Sequence, residues 1–416
     1  MADPIVYVEQ RIAAAFAKVA GSKADGIDTA VRASDRADAQ VNGSIALAKA
    51  MGLTPRDVAA KVLEVADLKD ICSDAQVAGP GFINLTFQNE FLSRELMSSS
   101  ASEKLGVRNA TKPRKIVVDY SAPNVAKEMH VGHLRSTVIG DALVRMLMFV
   151  GNTVVRENHV GDWGTPFGML IEHLVDLGET HAASELSVGD LDSFYRSARK
   201  SFDESEQFQS RARARVVLLQ SGDAETLRLW KLLVAESTRY FQMIYRTLGV
   251  LLEDTDIMGE SAYNNLLPQV VERLGELKML TTSDGAEVVF ADGFVNRENQ
   301  PLPLIIRKTD GGYNYATSDL ACVIDRVERL NADLLLYVVG APQAQHLQMI
   351  AAVSKQAGWL NSSREMVHVS FGNVLGADKK MLKTRSGETV KLDALLTESV
   401  ERAAAAVAEK NPELSD

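Results

Sequence analysis

The stretch from Ile116 to Asn158 limits the possible folds more than any other part of the chain. Ile116-Val-Val-Asp-Tyr120 is a short β-rich run broken by Pro123 and Asn124. Beyond His133, apolar residues recur at Leu134, Val138, Ile139, Ala142, Leu143, Met146, Leu147 and Val150, the spacing of one buried helix face. Gly151 stands where such a helix stops. Thr153 to Asn158 reads as a second strand. A strand, a helix and a strand in this span predict a right-handed parallel crossover, and so an α/β fold with a Rossmann-like parallel sheet. The GxGxxG fingerprint is missing from the span, which removes support for a dinucleotide oxidoreductase.

The turn before that helix is the first candidate site. Unpaired amides and the positive dipole end at a helix start favour phosphate. His130 and His133 would add donors to a nucleotide polyphosphate, and Gly132 would let it approach the backbone closely. Taken alone, two histidines near a helix start are more often capping or packing residues.

The rest of the sequence sets the class. At 416 residues, 46% hydrophobic and 24% charged, the chain has material for about two to four globular domains. A net charge of -10 argues against indiscriminate nucleic-acid binding, without excluding a local basic groove. Cys72 and Cys322 are the only cysteines and have no partner spacing, so neither a disulfide framework nor a metal site is expected. A reducing cytoplasm fits this. The N-terminus has no signal-peptide pattern and no stretch reaches membrane-spanning length, so a cytoplasmic protein without a membrane partner is expected.

Along the chain, Ile5, Val8, Ile12, Ala15, Phe16 and Val19 form a helical stripe, and residues 54–66 read as a helix capped by Thr54 with Pro55 in its first turn. Gly79 to Phe87 reads as a turn and strand. These elements predict a small N-terminal α/β domain over 1–110, joined to the next by a basic linker at 104–115. A catalytic domain is expected over 111–375, with a mainly helical insertion at about 170–285. Within the insertion, Arg196, Arg199, Lys200, Arg211, Arg213 and Arg215 interleave with Asp203, Glu204 and Glu206, the mark of a solvated helix face.

Further on, Val288–Phe290 and Leu304–Arg307 read as strands, followed by a Gly-Gly hairpin turn in Lys308–Asp319, KTDGGYNYATSD. Tyr315 and Asp319 are four apart and point the same way at a helix start. A phenol beside a carboxylate suits a guanidinium; the alternative is a plain surface pair. Lys379, Lys380, Lys383 and Arg385 lie between Gly376 and Gly387, in a loop that either folds cations over a polyphosphate or is ordinary surface.

Four blocks carry a family resemblance. SAPNVAKEMHVGHLRST, Ser121 to Thr137, resembles the HIGH region of class I aminoacyl-tRNA synthetases, and specifically of arginyl-tRNA synthetases. NHVGDWGTPFGML, GGYNYATSDLA and FGNVLGADKKMLKTRSGETVKL resemble further blocks of that family, the last being its divergent KMSKS loop. The resemblance covers nearly the whole chain. It implies that Tyr315 and Asp319 hold substrate arginine, with Asp119, Asn124 and Gln343 as further contacts. Asp119 reads equally as structural at a strand end, and Pro342, beside Gln343, departs from the family pattern.

The resemblance further implies that His130, Gly132, His133, Lys379, Lys380, Lys383 and Arg385 bind ATP, and that His130, His133, Lys127 and Lys383 are catalytic. Lys127 stands in for a lysine the divergent loop lacks. His159 and Asp162 shape the pocket or support the sheet. The N-terminal module touches the tRNA elbow in the family, with simple packing as the other reading.

The implied reaction forms arginyl-adenylate from arginine and Mg-ATP, both substrates, and transfers arginine to its tRNA without a tightly bound cofactor. A monomer is expected. Residues 376–416 would hold the KMSKS-like loop and the start of a stem-contact region, with the family's C-terminal anticodon-binding domain absent. The other readings are a free-standing arginine-adenylating paralogue and a non-catalytic arginine- or tRNA-binding protein.

Overall fold

The structure, a computed structural model, describes residues 3–178, 191–296, 298–375 and 390–414. It divides into two compact units, Met1–Thr111 and Lys112–Asp416.

In the first unit, helix α1 (Pro4–Ala20) starts at Asp3, whose carboxylate accepts from the Ile5 amide at 3.0 Å, and Pro4 occupies the first turn. Strands β1 (Val31–Ser34) and β2 (Ala37–Val41) are followed by helices α2 (Ser44–Met51) and α3 (Pro55–Val65), then by β3 (Cys72–Ala78), β4 (Phe82–Phe87) and α4 (Asn89–Ser100). The strands form an antiparallel sheet in the order β1-β2-β4-β3. Ile12 and Phe16 of α1, Leu47 of α2, Val62 of α3 and Ile83 of β4 share one buried core. Gly79-Pro-Gly81 makes the turn before β4; Gly81 has φ 140° and meets the Pro55 backbone too closely for a Cβ. The first three strands were not expected, because the apolar positions of VRASDRADAQV and CSDAQVA are mostly alanine, a weak strand former.

The second unit is built on a parallel sheet. Its elements begin with β5 (Lys115–Asp119), α5 (Val131–Phe149) and β6 (Thr153–Glu157). Among the described residues, five α-helices come next, α6 (Thr165–Leu177), α7 (Leu191–Glu204), α8 (Glu206–Ser221), α9 (Ala224–Leu248) and α10 (Leu267–Glu276). A three-stranded antiparallel sheet of β7 (Thr281–Ser283), β8 (Ala286–Val295) and β9 (Pro301–Arg307) precedes α11 (Tyr315–Glu328), β10 (Leu334–Tyr337), α12 (Ala344–Gln356), β11 (Glu365–His368) and α13 (Leu392–Lys410). The parallel order is β11-β10-β5-β6.

Strand β5 is buried on both faces, which explains its unbroken apolar run. Ile116 and Val118 join one core with Val144, Leu170 and Phe241; Val117 joins the other with Leu320, Val323 and Ile350.

Helix α5 keeps only part of the stripe expected of it: Leu134, Ile139, Leu143 and Leu147 pack partly buried against the core. Its buried face is Val131, Ser136, Thr137, Gly140, Asp141 and Val144, whereas Val138 is 45% exposed and Met146 57%. The face against β5 needs small and polar residues. Ser136 Oγ accepts from the Ser121 amide and donates to the Val338 carbonyl, and a Cβ on Gly140 would overlap Tyr120. Apolar periodicity does not register such residues.

Helix α9 is capped by Asp223 and ended by Gly249 in the left-handed conformation. It braces the loop after β5: Ser237 Oγ accepts from the Ala126 amide at 2.9 Å, and Tyr245 Oη meets Ser121 Oγ at 2.8 Å and takes a bond from Asn158 Nδ2 at 2.9 Å. Several arginines of these helices pair within the chain, Arg199 with Asp203, Arg211 with Asp176 and Arg215 with Glu172. No helix among the described residues is long and apolar enough to cross a membrane.

Candidate active site

Two sites of opposite charge preference flank the loop that links β5 to α5. The loop is strained. Ser121, Ala122 and Ala126 have φ of 73°, 49° and 59°, a region costing non-glycine residues about 1–2 kcal/mol each. Its bonds to Ser136, Ser237, Tyr245 and Asn158 over-determine that path.

At the far end of the loop, the Gly132 amide donates to His130 Nδ1, and the His130 amide donates to His133 Nδ1, both at 3.1 Å. Burial lowers the pKa of both rings, His133 to about 3, with His130 lowering it further. Both are therefore neutral near pH 7. Because each Nδ1 accepts a backbone proton, each ring carries its own proton on Nε2. The pair thus caps α5 and keeps two Nε2 donors, so the capping and phosphate-donor readings are compatible.

Lys127 Nζ lies 4.4 Å from the Tyr195 ring centroid, and Glu128, buried beside it, pairs with Lys391 at 2.8 Å. Lys127, His130, Tyr195 and Lys391 line a hollow of about 350 Å³. Lys379, Lys380, Lys383 and Arg385 lie outside the described residues. The described residues on either side are held against the start of α5: Arg135 donates to the Gly372 carbonyl, the Val131 amide to Val390, and the Leu392 amide to Met129.

At the near end of the loop, the carboxyl ends of β5 and β10 open into a cavity of about 630 Å³. Its walls include Asp119, Ala122, His159, Glu260, Tyr315, Asp319, Tyr337, Gln343 and His346. Burial pushes Glu260 above the usual carboxylate range; His159 opposes the shift, while Asp162 and Asp319 add to it. Three carboxylates sharing one half-open cavity make a site for a cation.

Tyr315 and Asp319 do lie on one face at the start of α11. A third residue joins them: His346 Nε2 bonds Asp319 Oδ2, and its ring lies 4.8 Å from that of Tyr315. Neither His346 nor Glu260 was singled out from sequence. His346 stands three residues after Gln343, in a helix with no other mark of function, and Glu260 lies in a segment whose position only the tertiary structure reveals.

The remaining candidates are distributed as follows. Asp119 Oδ2 accepts from Arg326 Nη2 at 2.7 Å, so this cavity-wall residue also belongs to an internal ion cluster. Asn124 is exposed beside Gly161 and is not part of the cavity wall. His159 is in the wall, its Nδ1 3.0 Å from the Met258 carbonyl. Asp162 is not; its carboxylate accepts from the Ser261 amide and hydroxyl, fastening the chain after β6 to residues 259–261.

His159, Asp319 and Cys322 bring ligand-type atoms within 4.8 Å of one another. Cys322 Sγ is nearly equidistant from the two ring nitrogens, at 3.9 and 4.0 Å, and so lies off both lone-pair directions. These separations exceed the ~3.6 Å that spans nitrogen and sulfur across one tetrahedral zinc.

A parallel sheet with a two-histidine helix start, a cation cavity at its carboxyl edge and a helical segment between its halves defines the catalytic fold of a class I aminoacyl-tRNA synthetase. Residues 95–416 match the family model described as "tRNA synthetases class I (R), catalytic domain", and residues 7–87 match "Arginyl tRNA synthetase N terminal domain". The chain belongs to the arginyl-tRNA synthetase family.

It is 51% identical over 416 residues to an arginine–tRNA ligase of Thermobifida fusca, covering 100% of this chain and 72% of that protein. An arginine–tRNA ligase of a Nostoc species is 47% identical over 407 residues, covering 97% of this chain and 68% of that protein. Among solved structures, the Plasmodium falciparum arginyl-tRNA synthetase superposes with a TM-score of 0.80 at 27% identity, over 98% of this chain and 69% of that one. The Thermus thermophilus arginyl-tRNA synthetase superposes at 0.77 with 20% identity, over 99% of this chain and 72% of that one, a likeness of fold alone.

Proposed function

We propose that the chain is an arginine–tRNA ligase that activates arginine with Mg-ATP and transfers it to the 3′ end of arginine tRNA. The observation that carries this reading is the cavity with Asp119, Glu260 and Asp319 in its wall, on the same loop as the neutral His130–His133 helix start. Opposite charge preferences on one loop suit a substrate with a cationic side chain whose carboxylate must meet a triphosphate.

In this reading Asp319, oriented by His346, and Glu260 accept from the guanidinium, Tyr315 covers it, Asp119 and Gln343 complete the contacts within the cavity, and Asn124 meets the substrate from outside its wall. The arginine carboxylate attacks the α-phosphorus of ATP, forming arginyl-adenylate and releasing pyrophosphate. His130 and His133 donate from Nε2, the Gly132 region lets the phosphates approach, and Lys127, Lys379, Lys380, Lys383 and Arg385 neutralise charge that develops on the phosphates. A terminal ribose hydroxyl of tRNA then displaces AMP. No enzyme nucleophile is needed. His159 forms part of the cavity wall, while Asp162 serves the loop behind it. The enzyme works in the cytoplasm as a monomer.

Titration calorimetry with arginine and with citrulline, its neutral isostere, tests the reading. Arginine should bind at least tenfold more tightly, since hydrogen bonds to charged groups are worth about 1.5–3 kcal/mol. Equal affinities would remove the cation site.

A further inference from the structure

Below the cavity lies a side chain with no place in the scheme above. Arg326 has 0% exposure, the largest fully buried side chain among the described residues. Its Nη2 donates to Asp119 Oδ2 at 2.7 Å, its Nε donates to Glu157 Oε2 at 2.6 Å, and its Cζ lies 4.9 Å from the Tyr337 ring centroid.

These three partners form a row. Asp119 pairs in register with Tyr337 on one neighbouring strand and with Glu157 on the other. Arg326 therefore clamps the carboxyl ends of β10, β5 and β6 at one level. Two members of the row, Asp119 and Tyr337, are cavity-wall residues. Arg326 is also two helical turns beyond Asp319 on α11, so one helix delivers both a wall carboxylate and the cation that holds another.

We infer that Arg326 is a positioning residue for substrate arginine: its guanidinium fixes Asp119 so that the carboxylate meets the substrate cation already ordered. The chemistry requires arginine at this position. A planar fork reaches Asp119 and Glu157 at once and stacks on Tyr337, whereas an ammonium is a point charge that cannot hold both carboxylates in that geometry. The clamp leaves the row one net negative charge, from two carboxylates and one guanidinium, under a cavity that takes a cation. The inference rests on the reading of Asp119 as an arginine contact.

The experiment is steady-state ATP–pyrophosphate exchange, with arginine tRNA present throughout, on Arg326→Lys, Glu157→Gln and Asp119→Asn, and on each of the first two combined with the third. Glu157→Gln keeps the Arg326–Asp119 pair but removes the anchor on Nε, so it reports on the clamp even where Arg326→Lys does not fold. Arg326→Lys should raise the arginine KM about tenfold, Glu157→Gln should raise it less, and both should leave the ATP KM within about twofold.

Because both act through Asp119, neither should add its full effect in the Asp119→Asn background. A clamp that served stability alone would lower the melting temperature without this KM split or non-additivity. An unchanged arginine KM in folded Arg326→Lys and Glu157→Gln, beside a raised one in Asp119→Asn, would overturn the inference and leave the reading of Asp119 standing. An unchanged KM in Asp119→Asn would remove that reading, and this inference with it.

Discussion

At the scale of single residues, protonation states follow from burial and have measurable consequences. His133 has a pKa of about 3 in the folded chain against 6.5 as its ordinary value. Between those values the unfolded chain binds the extra proton, so folding stability should fall as pH drops from about 6.5 towards 3 and be fully present above. Urea titrations at several pH values should show this, and His133→Asn should flatten part of the slope. Glu260 has the opposite sign. If Glu260 meets the substrate guanidinium as proposed, its raised pKa must be overcome on binding, so arginine affinity should rise with pH as this carboxyl ionises and then level off. Calorimetry across pH should record the rise in the wild type and its loss in Glu260→Gln. Asp319→Asn should raise the arginine KM at least tenfold, by about 1.5–3 kcal/mol, while the melting temperature and ATP KM hold.

At the scale of elements, the helix after β5 shows both what sequence conveys and what it hides. Its existence and its ends were legible from a β-rich run, two turn residues and a closing glycine. Its buried face was legible only in part: Leu134, Ile139, Leu143 and Leu147 pack against the core as their spacing predicts, but Ser136, Thr137 and Gly140 are selected by the loop they brace and the Tyr120 ring they admit. Gly140→Ala should therefore destabilise the unit by about 1–3 kcal/mol, as overpacking does, despite the better helix propensity of alanine. Chemical denaturation would measure it. The same limit applies to the candidate site. Tyr315 and Asp319 were visible because they share one helix turn inside a block that resembles the family; His346, Glu260 and Arg326 were not, since tertiary packing alone brings the first two into the cavity wall and the third beneath it. The strands β1, β2 and β3 were missed for a simpler reason, the alanines that fill most of their apolar positions and favour strands weakly.

At the scale of the whole molecule, the catalytic unit separates two electrostatic tasks along one strained loop. Carboxylates gather at the carboxyl edge of the sheet, and neutral imidazoles with nearby lysines gather at the helix start; in the proposed reading the first take a cation and the second an anion. The fold class and the family blocks were legible from sequence because they lie in continuous runs. The division of labour between the sites depends on strand register and helix packing, which no run records. The most direct measurement is ATP–pyrophosphate exchange with arginine, run with and without arginine tRNA and with lysine as the control amino acid. The account predicts exchange that depends on arginine when tRNA is present and none with lysine. Equal exchange with lysine, or none with arginine from folded protein given tRNA, would contradict it.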